Sequence, residues 1–547
     1  MLALPLVNNE SILSVNTTAV IGFTLLAVFG LTYLAKHLYR NFSTPINQLR
    51  GPNSPSWVFG LEQAVVDAEG GTADEYGCTF KYPSFVDKWE LCTLDPKAVS
   101  HLLSNNDIYP KPAILRNVLN SVSGLISAEG ETHKRQRRIL NPSFSQVQLR
   151  EVTPVFFEKA TELRDIWQAQ ILAASNPAEG QKLDVYQWLS RATLDTIGVA
   201  GFGYDFESLF HDKNELAFAV RELFRTQMEN RWLNMIRLFF PILRLFLPEP
   251  DLQVRKRSMQ TMRRVGMELI QKKKAEVARS KVGEKETSGT VVGGRDILSA
   301  LIRANMASDV LPTHRLTDEE VLSQITTFLL AGHEITGNSL TWSLLMFAQH
   351  TRIQTKLREE LLAVAEGLPS MEDLNSLPYL DLCIRELLCL QGPVRDTVRV
   401  ATQDDNIPLQ YPVIDRHGNT LDAVRFKAGD VILIPILAID KSERLWGPTA
   451  LEFRPERFQS APEAATAIPG VYSHILTFTG GPRACIRYRF SIIEVKAFLF
   501  ILLRSFIFEL PACDMEIVKK TVMVTRPLIK GEEEKGAQLP LLIRPIA

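Results

Sequence analysis

Phe478-Thr-Gly-Gly-Pro-Arg-Ala-Cys-Ile-Arg-Tyr-Arg-Phe490 is the stretch from which the fold of this chain is read. Two glycines and a proline form a turn that delivers one cysteine, Cys485, to the start of an apolar run. Glycine permits tight turns and close backbone approach, and proline presets a turn. Backbone N–H groups at a helix start, together with the helix dipole, favour a thiolate. A shielded thiolate suits ligation of iron. The other cysteines are Cys78, Cys92, Cys383, Cys389 and Cys513, with no CxxC pair among the six. Neither a disulfide framework nor a structural zinc site is suggested, and such sparse usage fits a reducing compartment.

Working outward, a final helix is expected from about Ile486 to Ser505, and helical patterns dominate the chain before it. Val155–Leu172, entered through Pro154, and the basic stretch Leu252–Ala278 have amphipathic spacing. Thr317-Asp-Glu-Glu320 is a capping box that opens a long helix reaching about Gln349. Pro378 opens another over Tyr379–Leu390. Asn406–Pro435 is rich in β-branched residues and carries the turn dipeptide His417-Gly418, which predicts a small sheet. The polar, glycine-rich run Ser280–Asp296 is expected to be a surface loop. The fold class is therefore mainly α with a minor β region. With 547 residues, 46% of them hydrophobic, the chain can bury a large core; a net charge of −1 excludes the basic excess of nucleic-acid binders.

The N-terminus carries a different signal. Ser11–Ala35 has no charged residue, and Ala19–Ala35 is almost wholly apolar. A span of roughly 20 apolar residues matches the bilayer core. Lys36, His37 and Arg40 follow it and no Lys or Arg precedes it, the reverse of a cleavable signal peptide. The positive-inside rule then puts everything after residue 35 on the cytosolic side. The expected organisation is a short lumenal segment (residues 1–18), a single transmembrane anchor (19–35), a basic flank and proline hinge (36–57) and one catalytic domain (58–547).

These motifs together resemble the cytochrome P450 family, whose signature is Phe-x-x-Gly-x-Arg-x-Cys-x-Gly. Phe478, Gly481, Arg483 and Cys485 match it, and Arg487 stands at the last glycine. Further family-like segments occur in the expected order. They are His133-Lys-Arg-Gln-Arg137, Leu329-Leu-Ala-Gly-His-Glu-Ile-Thr336, Leu377-Pro-Tyr-Leu380 and Phe453-Arg-Pro-Glu-Arg-Phe458. Details around Gly480–Phe490 and Trp446-Gly447 look closest to fungal microsomal members.

The resemblance implies the cytochrome P450 fold and a haem b whose iron is ligated by Cys485. It implies that His133, Arg137, Arg399 and Arg483 meet the haem propionates. Gly332 would leave room for O2, with Glu334 and Thr336 as catalytic residues for proton delivery. Electrons would come from NADPH through a membrane-bound reductase, drawn to a basic surface of Lys134, Arg135, Arg138, Arg487 and Arg489. The implied activity is a monooxygenase of the endoplasmic reticulum membrane that inserts one oxygen atom into a lipophilic substrate. In fungi such enzymes serve specialised (secondary) metabolism, often of terpenoids or sterols.

Three departures from the family pattern carry the alternative of a degenerate, non-catalytic or poorly coupled haem-binding member. The Glu-x-x-Arg pair is Glu386-Leu-Leu-Cys389, so its cation is missing and Glu386 is left to pair with Arg457. The threonine expected after the distal acid is Ile335, and Thr336 lies about 100° further round the helix. Arg487 must bend toward a propionate or solvent, or obstruct the haem.

Overall fold

A computed structural model describes residues 43–53, 71–84, 88–120, 124–211, 214–228, 252–281, 294–308, 310–365, 367–511, 515–521 and 524–546, with isolated positions elsewhere. The expected anchor, residues 19–35, falls almost wholly outside the described residues. Among the described residues no helix is long and apolar enough to cross a membrane. The chain divides into two compact units, Met1–His101 with Arg399–Ile434, and Leu102–Val398 with Pro435–Ala547.

The first unit is mostly sheet. Thr79–Pro83 and Trp89–Thr93 pair antiparallel, with Phe80 opposite Cys92. Trp89–Thr93 then runs parallel to Val431–Ile434, whose four residues are all buried. A short, unbroken apolar run is what a parallel strand covered on both faces requires. Asp405–Ile414 and Thr420–Phe426 form a second antiparallel pair, bulged between Pro408 and Val413. The turn at its tip is held by Asp415, whose Oδ1 accepts the backbone N–H of His417 and Asn419, each at 2.8 Å. Gly418 supplies the left-handed backbone there, φ 88°. The small sheet expected over Asn406–Pro435 is thus present.

The second unit is helical. Its longest helix, Asp318–Gln349, opens on the expected capping box: Glu320 N–H donates to Thr317 Oγ1 and Thr317 N–H to Glu320 Oε2. Val185–Thr196 runs into a π-helical turn, Ile197–Phe202, closed by left-handed Gly203. Thr193 Oγ1 donates to His333 O at 2.8 Å and ties that segment to the long helix.

Two helix starts differ from expectation. The helix expected from Val155 begins at Gln146 on a Ser145 cap, and Pro154 lies inside it, about two turns from the start. An interior proline costs about 3 kcal/mol. Phe156, Phe157, Leu163 and Trp167 of the same helix are at most 2% exposed. Each contributes roughly 1.5–3 kcal/mol on burial, so packing outweighs the proline. The terminal helix starts at Tyr488 rather than about Ile486. It is buried almost all round, Glu494 and Lys496 included, as its largely apolar composition demands. The two helices pack through edge-on ring pairs, Phe156 on Phe490 at 4.7 Å and Phe157 on Phe500 at 6.0 Å.

Behind them, helix Pro378–Leu390 presents Glu386, which is wholly buried. Arg457 Nε lies 2.9 Å from Glu386 Oε2, and the backbone N–H of Arg454 donates to Oε1 at 2.7 Å. Direct pairing therefore takes the place of the cation that Cys389 removes. Burial still pushes the Glu386 carboxyl up to about 7, opposed by Arg457. Cys389 serves elsewhere, its thiol donating to Asp440 O at 2.8 Å. Removing one partner of a buried ion pair typically costs about 3–5 kcal/mol. Arg457→Ala should lower unfolding stability in urea by that order, and adding Glu386→Gln should recover part of it. Equal stability of wild type and Arg457→Ala would show that the pair holds nothing together.

Candidate active site

The Cys485 turn is shaped by backbone crowding. Thr479 and Gly481 both take left-handed backbone, φ 55° and 67°. A Cβ on Gly480 would lie 1.9 Å from Pro469 O, and one on Gly481 would lie 2.4 Å from Leu103 O. Neither position tolerates a side chain. The turn closes when Cys485 N–H donates to Phe478 O at 2.9 Å, and Ala484 N–H donates to Gly481 O at 3.0 Å. Phe478 packs between Tyr472 and Tyr488, its ring centroid about 6 Å from each. Beneath it, the wholly buried Asp440 accepts from Leu476 N–H at 2.8 Å and Thr477 Oγ1 at 3.2 Å, while Thr477 also reaches Leu388 O at 2.8 Å. Cys389, through Asp440, thus belongs to the base of the turn.

Cys485 opens on a cavity with about 1290 Å³ of empty space including its mouth, lined entirely by the second unit. One edge is basic: Lys111, His133, Arg137 and Arg483. Arg137 Nη1 donates to Ala484 O at 2.7 Å, so helix Gly130–Leu140 grips the turn directly. Arg483 Nη1 donates to Ala128 O at 2.6 Å, and Arg483 pairs with Glu129. Burial lowers Arg483 to about 10 and, helped by Arg137 and Lys111, lowers His133 to about 4. His133 is therefore neutral at pH 7 and offers a single N–H rather than a charge. Arg399 belongs to the first unit, where it is buried and lowered to about 10 by desolvation.

The facing wall is the long helix, through Thr327, Phe328, Ala331, Ile335, Thr336 and Ser339. Glu334 is buried, stands outside that lining, and pairs with Arg526. His333 is a satisfied core histidine, Nδ1 at 2.9 Å from Leu329 O. Arg487 neither leaves for solvent nor for the basic edge. It turns inward across the Phe490 ring, 4.4 Å from its centroid, until Nη1 meets Gly332, where a Cβ would lie 2.4 Å away. Of the five residues expected on a basic docking surface, Arg487 is thus buried and Arg135 is engaged by Glu320. Lys134, Arg138 and Arg489 are exposed.

Burial pushes the Cys485 thiol up, while the Arg487 backbone N–H and the Arg487 and Arg137 guanidinium groups pull it down. A thiol with that cationic support, a broad apolar slot and a cluster of donors at one edge match the chemistry of haem: soft iron ligation, a hydrophobic macrocycle and two carboxylates. Lys111, Arg526 and Glu494 escaped the sequence reading because they come from remote segments. Glu494 alone had a visible signal, a carboxylate within the otherwise apolar run Ile492-Ile-Glu-Val495.

Asp440 makes the base of the turn sensitive to pH. Burial pushes its carboxyl up to about 8, against the hydrogen bonds from Leu476 and Thr477. A folded-state value above the ordinary one contributes stability that is complete below the normal carboxylate range and is lost as pH rises toward 8. The melting temperature of Asp440→Asn relative to wild type should therefore climb steadily between pH 5.5 and 8. A difference independent of pH would assign Asp440 no such role.

The cytochrome P450 family model matches residues 90–531 of this chain. Cytochrome P450 monooxygenase 205 of Postia placenta is 45% identical over 518 residues, covering 92% of this chain and 93% of that protein. Cytochrome P450 monooxygenase 128 of the same fungus is 42% identical over 534 residues, covering 96% and 97%. Cytochrome P450 monooxygenase claP of Ampulloclitocybe clavipes is 35% identical over 522 residues, covering 92% and 94%. With a thiol-bearing turn, a cationic edge and a matched family model over most of its length, the chain belongs to the cytochrome P450 family.

Proposed function

We propose that this P450 monooxygenase oxygenates a lipophilic, terpenoid- or sterol-like molecule in fungal specialised metabolism, from the cytosolic face of the endoplasmic reticulum membrane. The observation that carries the substrate class is the cavity lining. Away from the basic edge it is dominated by Leu125, Ile126, Phe328, Ala331, Ile335, Ile384, Leu388 and Val394. Such a wall favours apolar surface and offers few polar groups to orient a charged substrate. The relatives' names support oxygen insertion as the reaction. The uncharged segment Ser11–Ala35 and the basic residues after it support the membrane placement.

Haem supplies the oxygen-activating redox chemistry when bound, with electrons from a reductase. The chain's share is binding and electrostatics. Cys485 Sγ would hold the iron, and Lys111, His133, Arg137 and Arg483 would hold the propionates. The guanidinium groups of Arg137 and Arg487 stabilise negative charge on the sulfur. The aliphatic wall excludes water and keeps a lipophilic substrate against the long helix.

Reduced membranes carrying the full chain should show, under carbon monoxide, the red-shifted band of thiolate-ligated haem, and Cys485→Ser should abolish it. Arg137→Leu should lower haem occupancy at least threefold, because it removes a propionate donor and the clamp on Ala484. With NADPH and reductase, a terpenoid and sterol panel should give oxygenated products; turnover confined to polar aromatic acids would sink the substrate class. Deleting residues 1–42 should move the protein from the membrane pellet to the soluble fraction. Retention in a carbonate-washed pellet would place the anchor elsewhere.

A further inference from the structure

Three arginines line the cavity that holds Cys485, and two of them are fixed by directed bonds. Arg137 Nη1 donates to Ala484 O at 2.7 Å, and Arg483 Nη1 donates to Ala128 O while its guanidinium pairs with Glu129. Arg487 is held differently. It is 5% exposed, and its Nε and Nη2 are buried without a hydrogen-bond partner. Buried polar atoms are nearly always satisfied, and leaving a charged donor unmet is costly. Shape keeps this side chain in place. Its guanidinium lies 4.4 Å from the Phe490 ring centroid, and Nη1 stands in the space that Gly332 leaves by having no side chain.

That position spans the cavity. Arg487 is rooted two residues after Cys485, on the wall that carries the thiol, and lines the cavity beside it. Gly332 belongs to the long helix, the facing wall. Ala331 and Ile335, which flank Gly332 in sequence, line the cavity, yet Gly332 is buried and outside the lining. The atoms nearest to where its Cβ would stand are Arg487 Nη1, Arg487 Cζ and Ile197 Cγ1. The gap opened by glycine on this helix is therefore closed by a side chain from the opposite wall. Of the courses open to Arg487 (a bend toward the propionate edge, an exit to solvent, or obstruction of the slot) the chain takes the third.

We propose that Arg487 competes with haem for the slot: seated in the Gly332 gap it bars the space between the thiol and the long helix, and haem enters only when it swings out. The latch is built to open. A fitted gap and one ring contact hold it, no carbonyl or carboxylate fixes Nε or Nη2, and an arginine stem turns about several single bonds. Binding that draws on a partly populated open state has its apparent affinity reduced by that population. Haem affinity is thus limited by this one side chain as well as by the propionate donors. Glycine, which the family signature has at this position, carries no such latch. The inference rests on the haem-thiolate reading above.

The test titrates the purified full chain, stripped of haem, with haemin and follows the haem absorbance. Arg487→Gly should tighten the apparent Kd about threefold or more. Gly332→Ala keeps the charge but puts a Cβ where Nη1 stands, so it should tighten the Kd as well by driving the guanidinium out of the gap. Equal Kd values for wild type and Arg487→Gly overturn the proposal. A gain in Arg487→Gly without one in Gly332→Ala assigns the effect to charge rather than to the gap, and overturns it too. If Arg487→Gly does not fold, Gly332→Ala decides, and an unchanged or weaker Kd there overturns the latch. Haemin binding that gives no thiolate band under carbon monoxide, in wild type and both variants alike, instead overturns the haem-thiolate reading and the latch with it.

Discussion

Close approach of backbone to backbone at Gly480 and Gly481 is the constraint on which the site depends. The carbonyls of Pro469 and Leu103 occupy the places where side chains would begin. Only there can the turn close through Cys485 N–H and Phe478 O and aim the thiol into the cavity. A Cβ at either glycine would push the turn off its supports, and the hydrogen bonds from Arg137 to Ala484 and from Arg483 to Ala128 would open with it. The ligand, the cationic edge and the base at Asp440 are thus one mechanical unit.

Around that unit the chain solves a problem of buried charge. Two departures from the family pattern change a charge in the interior, and a neighbour meets each. Cys389 removes a cation; Arg457 and the Arg454 N–H serve Glu386 directly, while the thiol is used to hold Asp440. Arg487 adds a cation where the family has glycine, and the buried Glu494 bears on it. The added guanidinium also needs space, and Gly332 supplies it. Because an uncompensated buried charge is far costlier than a paired one, such exchanges must occur together. They change which residues fill each role without dismantling the fold.

Much of this was legible in the chain itself. Local signals with a short physical reach were reliable: the Thr317–Glu320 capping box, the Pro378 helix start and the His417-Gly418 turn are all where they were expected. Signals that compete with packing were not. Pro154 marked a helix start by its own chemistry, yet four buried large side chains carry the helix through it. The terminal helix starts two residues after Ile486, with Arg487 at its cap.

At the site, the division follows distance along the chain. The sequence alone determined the glycine–proline turn before Cys485, the basic segment His133–Arg137 and the capped start of the long helix, because each depends on residue types at fixed local spacing. Tertiary structure decided what those residues face. It drew Glu334 to Arg526, added Lys111 to the basic edge and turned Arg487 onto Gly332. Pairings between segments remote in the chain, such as Glu334 with Arg526, leave no local spacing to read. They are set by the packing of helices and strands, and by the cost of leaving a buried charge or hydroxyl unanswered.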